Sequence, residues 1–190
     1  HALLNGDKVY IATTVAADCV LGASVSLTAD ADGLTQAYGH FKEEAQRLNP
    51  DYTPQTVNTD GWRATHLAWQ TLFPIITIIQ CFLHAFIKIR ACGKRLADTF
   101  TEIKQQVWDI YQAANRTDFR SRVVNLQLWT QSHAEQLTQP VIEAIKKLCS
   151  QADSFVLTFE YPDAYRTSNM VDRHMEPMSR WLYSTLYFHG

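Results

Sequence analysis

Asp60, Asp172 and Glu176 are the side chains of this sequence best placed to do chemistry. Asp60 stands where a short β-branched run, Thr56-Val57-Asn58, gives way to Asp60-Gly61 and then to a helix-forming stretch. Open α/β sheets present ligand-binding groups at such strand ends, and a carboxylate there suits a hard divalent cation. Asp-Gly ahead of a helix is also ordinary turn chemistry. Asp172 lies three residues beyond Asn169 at the start of a last amphipathic segment, and Glu176 follows one helical turn later on the same face. This pair suits a shared metal ion or proton, while an acid in a first helical turn is equally favoured by the helix dipole and by reciprocal capping. Spacing alone leaves both readings open.

Cys81-Phe82-Leu83-His84 sets a thiol and an imidazole about one helical turn apart. As a zinc half-site it lacks further ligands, because no CxxC or HxxxH occurs elsewhere. As a nucleophile and its base it lacks an orienting third residue. A core cysteine beside a hydrogen-bonded histidine is the simpler reading. Lys88, Arg90, Lys94 and Arg95 follow on the same predicted helix with no acid among them. Such a strip tracks a phosphate backbone or is simply a solvated helix face. GxGxxG, GxxxxGK[ST] and GxSxG are absent, which disfavours the common nucleotide-binding and serine-hydrolase sites.

The elements that must carry these residues follow from periodicity. Residues 9–15 and 21–27 read as neighbouring antiparallel strands joined through residues 16–19, and Asn5-Gly6 signals a further hairpin ahead of them. Leu34, Ala37, Tyr38, Phe41, Ala45 and Leu48 form a helical seam that ends at Asn49-Pro50. A short strand at residues 56–58, a helix at 64–72 and a strand at 75–79 buried on both faces come next. Beyond Cys81 the chain reads as helical, with Leu96, Phe100, Ile103, Val107 and Ile110 as one seam. Residues 118–132, 141–149 and 169–183 are further predicted helices.

The 190 residues fit one domain with an inserted lobe. With 46% hydrophobic and 19% charged residues, the chain belongs with folded domains rather than disordered tails. A formal charge of −2 gives no global positive field, so contact with nucleic acid requires a local patch. Residues 72–87 are the most apolar window, but Pro74, Gln80 and His84 interrupt it and it is too short to span a bilayer. Four scattered cysteines favour a reducing compartment. The opening at His1 reads as a piece of something longer.

Four motifs, in this order and spacing, resemble the catalytic core of the DDE/D transposases of bacterial insertion sequences. They are Val57-Asn58-Thr59-Asp60-Gly61-Trp62, then Trp69 with Leu72-Phe73-Pro74, then Cys81-x-x-His84, then Arg166-Thr167-Ser168-Asn169-Met170-Val171-Asp172-Arg173. The Cys-x-x-His signature is also similar to that of Mutator-like transposases. The resemblance implies an α/β, RNase H-like fold, with a mixed sheet of three antiparallel strands plus parallel strands and an α-helical insertion. Residues 1–95 would be the first part of the core with its first strand largely missing, 96–150 the insertion, and 151–190 the final part bearing the third acid.

The activity so implied is DNA strand cleavage and strand transfer in transposition, dependent on two divalent ions, Mg2+ or Mn2+. Asp60 matches the family's second acid and Asp172 its third, with Glu176 an alternative third ligand because Asp172 is shorter than the usual Glu. Cys81, His84 and Asn169 would lie beside the active site, and Lys88, Arg90, Lys94 and Arg95 would contact DNA. Implied partners are transposon ends and target DNA, with a homo-oligomer on DNA and no membrane, in the bacterial cytoplasm at the nucleoid. The first acid belongs on a strand upstream of Leu3, and neither Asp7 nor Asp18 matches its position, so this stretch alone is expected to be inactive. The rival is a decayed or repurposed core that binds DNA or a partner without catalysis. Another is a different RNase H-like nuclease such as a junction resolvase.

Overall fold

Strand pairing at the start of the chain follows the β-branched pattern. In the computed structural model, which describes residues 2–4, 7–93, 96–168 and 173, β1 (Ala2–Leu4), β2 (Asp7–Ala16) and β3 (Cys19–Ser26) form an antiparallel sheet in the order β1-β2-β3. The β2–β3 turn is tighter than the sequence suggests. Ala17 and Asp18 both take left-handed backbone, with φ of 49° and 58°, as the twist of a two-residue hairpin requires. The chain is mixed α/β and divides into two compact units, His1–Ile78 with Ser168–Gly190, and Ile79–Thr167.

In the first unit, α1 (Ala31–Leu48) starts at Asp30, whose carboxylate accepts the Gly33 N–H at 2.8 Å as an N-cap. The helix packs on β3 where Gly22 leaves room for it. A Cβ at Gly22 would stand 3.2 Å from Cβ of Phe41. Then β4 (Thr56–Thr59) and α2 (Arg63–Leu72) follow, and β5 (Thr77–Gln80), whose first two residues close this unit, pairs with β4 as a parallel two-stranded sheet. Among the described residues this pair is a sheet of its own, not joined to β1–β3. Phe41, Trp69, Phe73 and Ile76 are the buried centre, with Trp69 stacked on Phe73 at 5.8 Å and Tyr52 edge-on to Phe41 at 5.9 Å.

Two apolar positions depart from the periodic pattern. Leu48 is 86% exposed because it falls in the final turn of α1, beyond the reach of the core. Ile75 is 82% exposed because Pro74 and Ile75 form a turn and the strand begins only at Thr77.

The second unit is helical. It contains α3 (Phe82–Gly93), α4 (Ala97–Tyr111), α5 (Arg116–Ser132), α6 (Gln139–Ser150) and α7 (Ala152–Val156), with short 3-10 turns at Ala134–Gln136 and Leu157–Phe159. The seam expected from spacing is present: Ile103, Val107 and Ile110 are fully buried, and Leu96 and Phe100 pack against them. Residues of α3, α5, α6 and α7 complete the same core. Gly93 ends α3 in close approach to α4, since a Cβ there would lie 2.6 Å from Cδ2 of Phe100. Helix α5 is capped twice, with the Asn115 side chain accepting from the Asp118 N–H and the Asp118 carboxylate accepting from the Ala114 N–H, both at 2.9 Å.

Cys19 and Cys92 are exposed and Cys81 and Cys149 buried, all four as free thiols. The predicted last helix over residues 169–183 lies outside the described residues except for Arg173, which is helical. No helix among the described residues is long and apolar enough to cross a membrane.

Candidate active site

Asp60 directly follows β4, and its geometry comes from the residues beside it. Gly61 takes a φ of 84°, a left-handed turn that a side chain would strain. The chain therefore reverses at once, and the Trp62 N–H donates back to Oδ1 of Asp60 at 3.0 Å. This is the turn chemistry that the Asp-Gly pair suggests, and it uses one carboxylate oxygen. The other makes no hydrogen bond, and the exposed carboxylate makes no ion pair, among the described residues.

Tyr38 and His66 both feel the Asp60 charge. Tyr38, half-buried on α1 with its ring 5.1 Å from that of Trp69, has its phenol pushed up from 10.0 to about 12, first by burial and then by Asp60, against a hydrogen bond with Trp69. His66, half-buried on α2, is pushed below the ordinary 6.5 by burial, and the Asp60 charge pulls it partly back. Its Nε2 lies 2.8 Å from the Thr59 hydroxyl, which also accepts the Gly61 N–H at 3.4 Å. A carboxylate flanked by an uncharged phenol and an imidazole that is neutral above pH 6.5 keeps an uncompensated negative charge. That is the electrostatic condition for recruiting an external cation.

Cys81 directly follows β5. It is buried, His84 is half-buried on the first turn of α3, and neither is without a partner. The N–H of Phe82 donates to the Arg166 carbonyl at 3.4 Å. The Arg166 guanidinium rests on two rings, 4.7 Å from the centroid of Tyr111 and 5.2 Å from that of Phe159. The start of α3 and the start of the Arg166-Thr167-Ser168 segment thus meet within the second unit. Lys88 and Arg90 are both exposed on α3, one to each side of the stripe that buries Phe82, Phe86 and Ile89.

Lys94, Arg95, Asn169, Asp172 and Glu176 lie outside the described residues. Among the described residues no cluster of three or more His, Cys, Asp or Glu side chains could hold a metal ion. Of the proposed ligands, the described residues include Asp60. His66 escapes sequence reasoning because no motif spacing marks it, and Tyr38 reads there only as a seam residue of α1. The one available signal is that His66 falls one turn after Trp62, on the helix that opens from the Asp60 loop. Compared with models of protein families, with characterised proteins and with solved structures, the chain gives no match.

Proposed function

We propose that this chain is part of the catalytic domain of a DNA transposase of the DDE/D type, with an RNase H-like core, acting by divalent-metal-dependent strand cleavage and strand transfer. The observation that carries the reading is Asp60 itself. It is an exposed carboxylate at the carboxyl end of a parallel strand, pinned by one oxygen, without an ion-pair partner among the described residues, and flanked by groups that do not neutralise it. The meeting of Phe82 with Arg166 supports it as well, because it joins two of the four motifs on which the resemblance rests.

Carboxylates are the donors that Mg2+ and Mn2+ prefer, and Asp60, with Asp172 or Glu176, would hold them. Bound there, the ions supply charge neutralisation at the attacking and leaving oxygens of an in-line displacement at phosphorus. The chain's own contribution is to fix the Asp60 carboxylate before substrate arrives, so that no reorganisation is needed at the reacting centre. Lys88 and Arg90 take phosphate contacts that hold the DNA without reading its sequence. A homo-oligomer on DNA, in the bacterial cytoplasm, is part of the same reading.

The test is Asp60→Asn in the full-length protein, assayed on DNA carrying the element's terminal sequences. Strand cleavage and joining are lost while DNA binding persists. Transposition that survives the substitution overturns the proposal. DNA binding that needs residues 88–95 but accompanies no cleavage in the unsubstituted protein favours the repurposed core.

A further inference from the structure

We infer that His66 is a positioning residue that holds the Asp60 carboxylate in its cation-binding orientation by gripping both ends of the loop that carries it. The inference rests on the metal-binding reading of Asp60. Two bonds from one residue make the grip. The His66 N–H donates to the Trp62 carbonyl at 3.1 Å, fixing the far end of the loop to the first turn of α2. The His66 ring reaches back, with Nε2 2.8 Å from Oγ1 of Thr59, the last residue of β4. Asp60 and Gly61 lie between these anchors.

Thr59 turns the grip into an orientation. Its side chain is buried, with the residue only 6% exposed, so its hydroxyl must find partners within the protein. Those partners are His66 and the Gly61 N–H, the latter at 3.4 Å. A β-branched side chain has few χ1 choices, and rotating Thr59 away from this one would break both bonds at once. Gly61 would then lose the contact on its N–H, and with it the turn that brings the Trp62 N–H to Oδ1 of Asp60. The bond between ring and hydroxyl forms with either nitrogen tautomer, because the hydroxyl can donate or accept.

Groups behind a metal ligand that fix its orientation commonly change metal affinity about 10- to 100-fold when removed. Terbium(III) is a suitable probe, since it is a hard cation whose emission is excited through nearby indole. Trp62, 43% exposed and two positions from Asp60, provides that indole. Titration of the full-length protein with Tb3+ alone is compared for wild type, Asp60→Asn, His66→Ala, His66→Gln and Thr59→Val.

The wild type shows emission that Asp60→Asn abolishes. His66→Ala weakens Tb3+ binding about tenfold, and His66→Gln, which keeps a polar atom where Nε2 sits, recovers most of it. Thr59→Val reproduces the loss, and the His66→Ala/Thr59→Val pair loses no more than either alone, because both act through one connection. If His66→Ala does not fold by circular dichroism, His66→Gln and Thr59→Val carry the comparison. Wild-type affinity in both His66→Ala and Thr59→Val, or losses that simply add, overturns the inference while leaving the Asp60 site standing. Undiminished binding in Asp60→Asn instead overturns the metal reading on which it rests.

Discussion

The Phe82 amide donates to the Arg166 carbonyl at 3.4 Å, which gives the first residue of α3 a partner for an N–H that its own helix leaves unsatisfied. Arg166 is in turn seated against Tyr111, at the end of α4, and Phe159. One arginine thus ties three separate stretches of the second unit together. Its side chain supplies the seat and its backbone the hydrogen bond.

Replacing Arg166 should therefore loosen the second unit. Each cation–π contact of an accessible arginine is worth about 0.5–1 kcal/mol, so Arg166→Ala should lower stability by about 1–2 kcal/mol. Arg166→Lys retains the charge but loses the planar stacking and should fall in between. Urea unfolding with unchanged slopes measures this. Equal stability in all three proteins would count against the seat.

Gly93→Ala tests the approach of α3 to α4. The new methyl would press on a ring carbon of Phe100 that has a core behind it, and overpacking of this kind costs about 1–3 kcal/mol. Adding Phe100→Leu should recover part of the loss by making room. A stabilising Gly93→Ala, as helix propensity alone would give, would contradict the packing.

His66 gives the stability a defined pH dependence. Its imidazole titrates below 6.5 in the folded chain, by burial against the pull of Asp60, so the unfolded chain takes up the proton first. This contribution is complete above pH 6.5 and is lost as pH falls from there through the depressed value. Asp60→Asn removes the opposing pull and should lower the His66 midpoint further. Ring-resolved NMR titration of both proteins reads the two midpoints, and a His66 midpoint above 6.5 would reverse the sign of the argument.

Lys88 and Arg90 should appear in the salt dependence of DNA binding. Each phosphate contact contributes about 0.9 to the slope of log affinity against log salt on duplex DNA. The Lys88→Gln/Arg90→Gln pair should therefore reduce the magnitude of that slope by about 2 without altering preference among DNA sequences. An unchanged slope in fluorescence anisotropy would remove both from the interface.

Local pattern made much of the fold legible. Runs rich in β-branched residues mark β2 and β3, and three-and-four spacing marks α1 and the seam of α4. Asp60 is also placed correctly at a strand end, because a β-branched run meeting Asp-Gly is a local signal. What pattern misses is non-local or geometric. Tyr38 and His66 reach the Asp60 field from two different helices, and no spacing within one element encodes that approach. Ile75 is misplaced because hydrophobicity starts the strand at Ile75 while the turn at Pro74 and Ile75 delays it to Thr77. Leu48 keeps helical phase after the core has ended.

The free thiols divide by exposure in a way that lends itself to spectroscopy. Cys81 and Cys149 are buried, and burial holds the Cys149 thiol up at about 11, far from the reactive thiolate. Cys19 and Cys92 are exposed, and they belong to different compact units. A maleimide fluorophore or nitroxide added at neutral pH would label that pair first, leaving one reporter on each unit of the unaltered chain. Energy transfer or dipolar coupling between the two labels would then follow the separation of the units as DNA is titrated in.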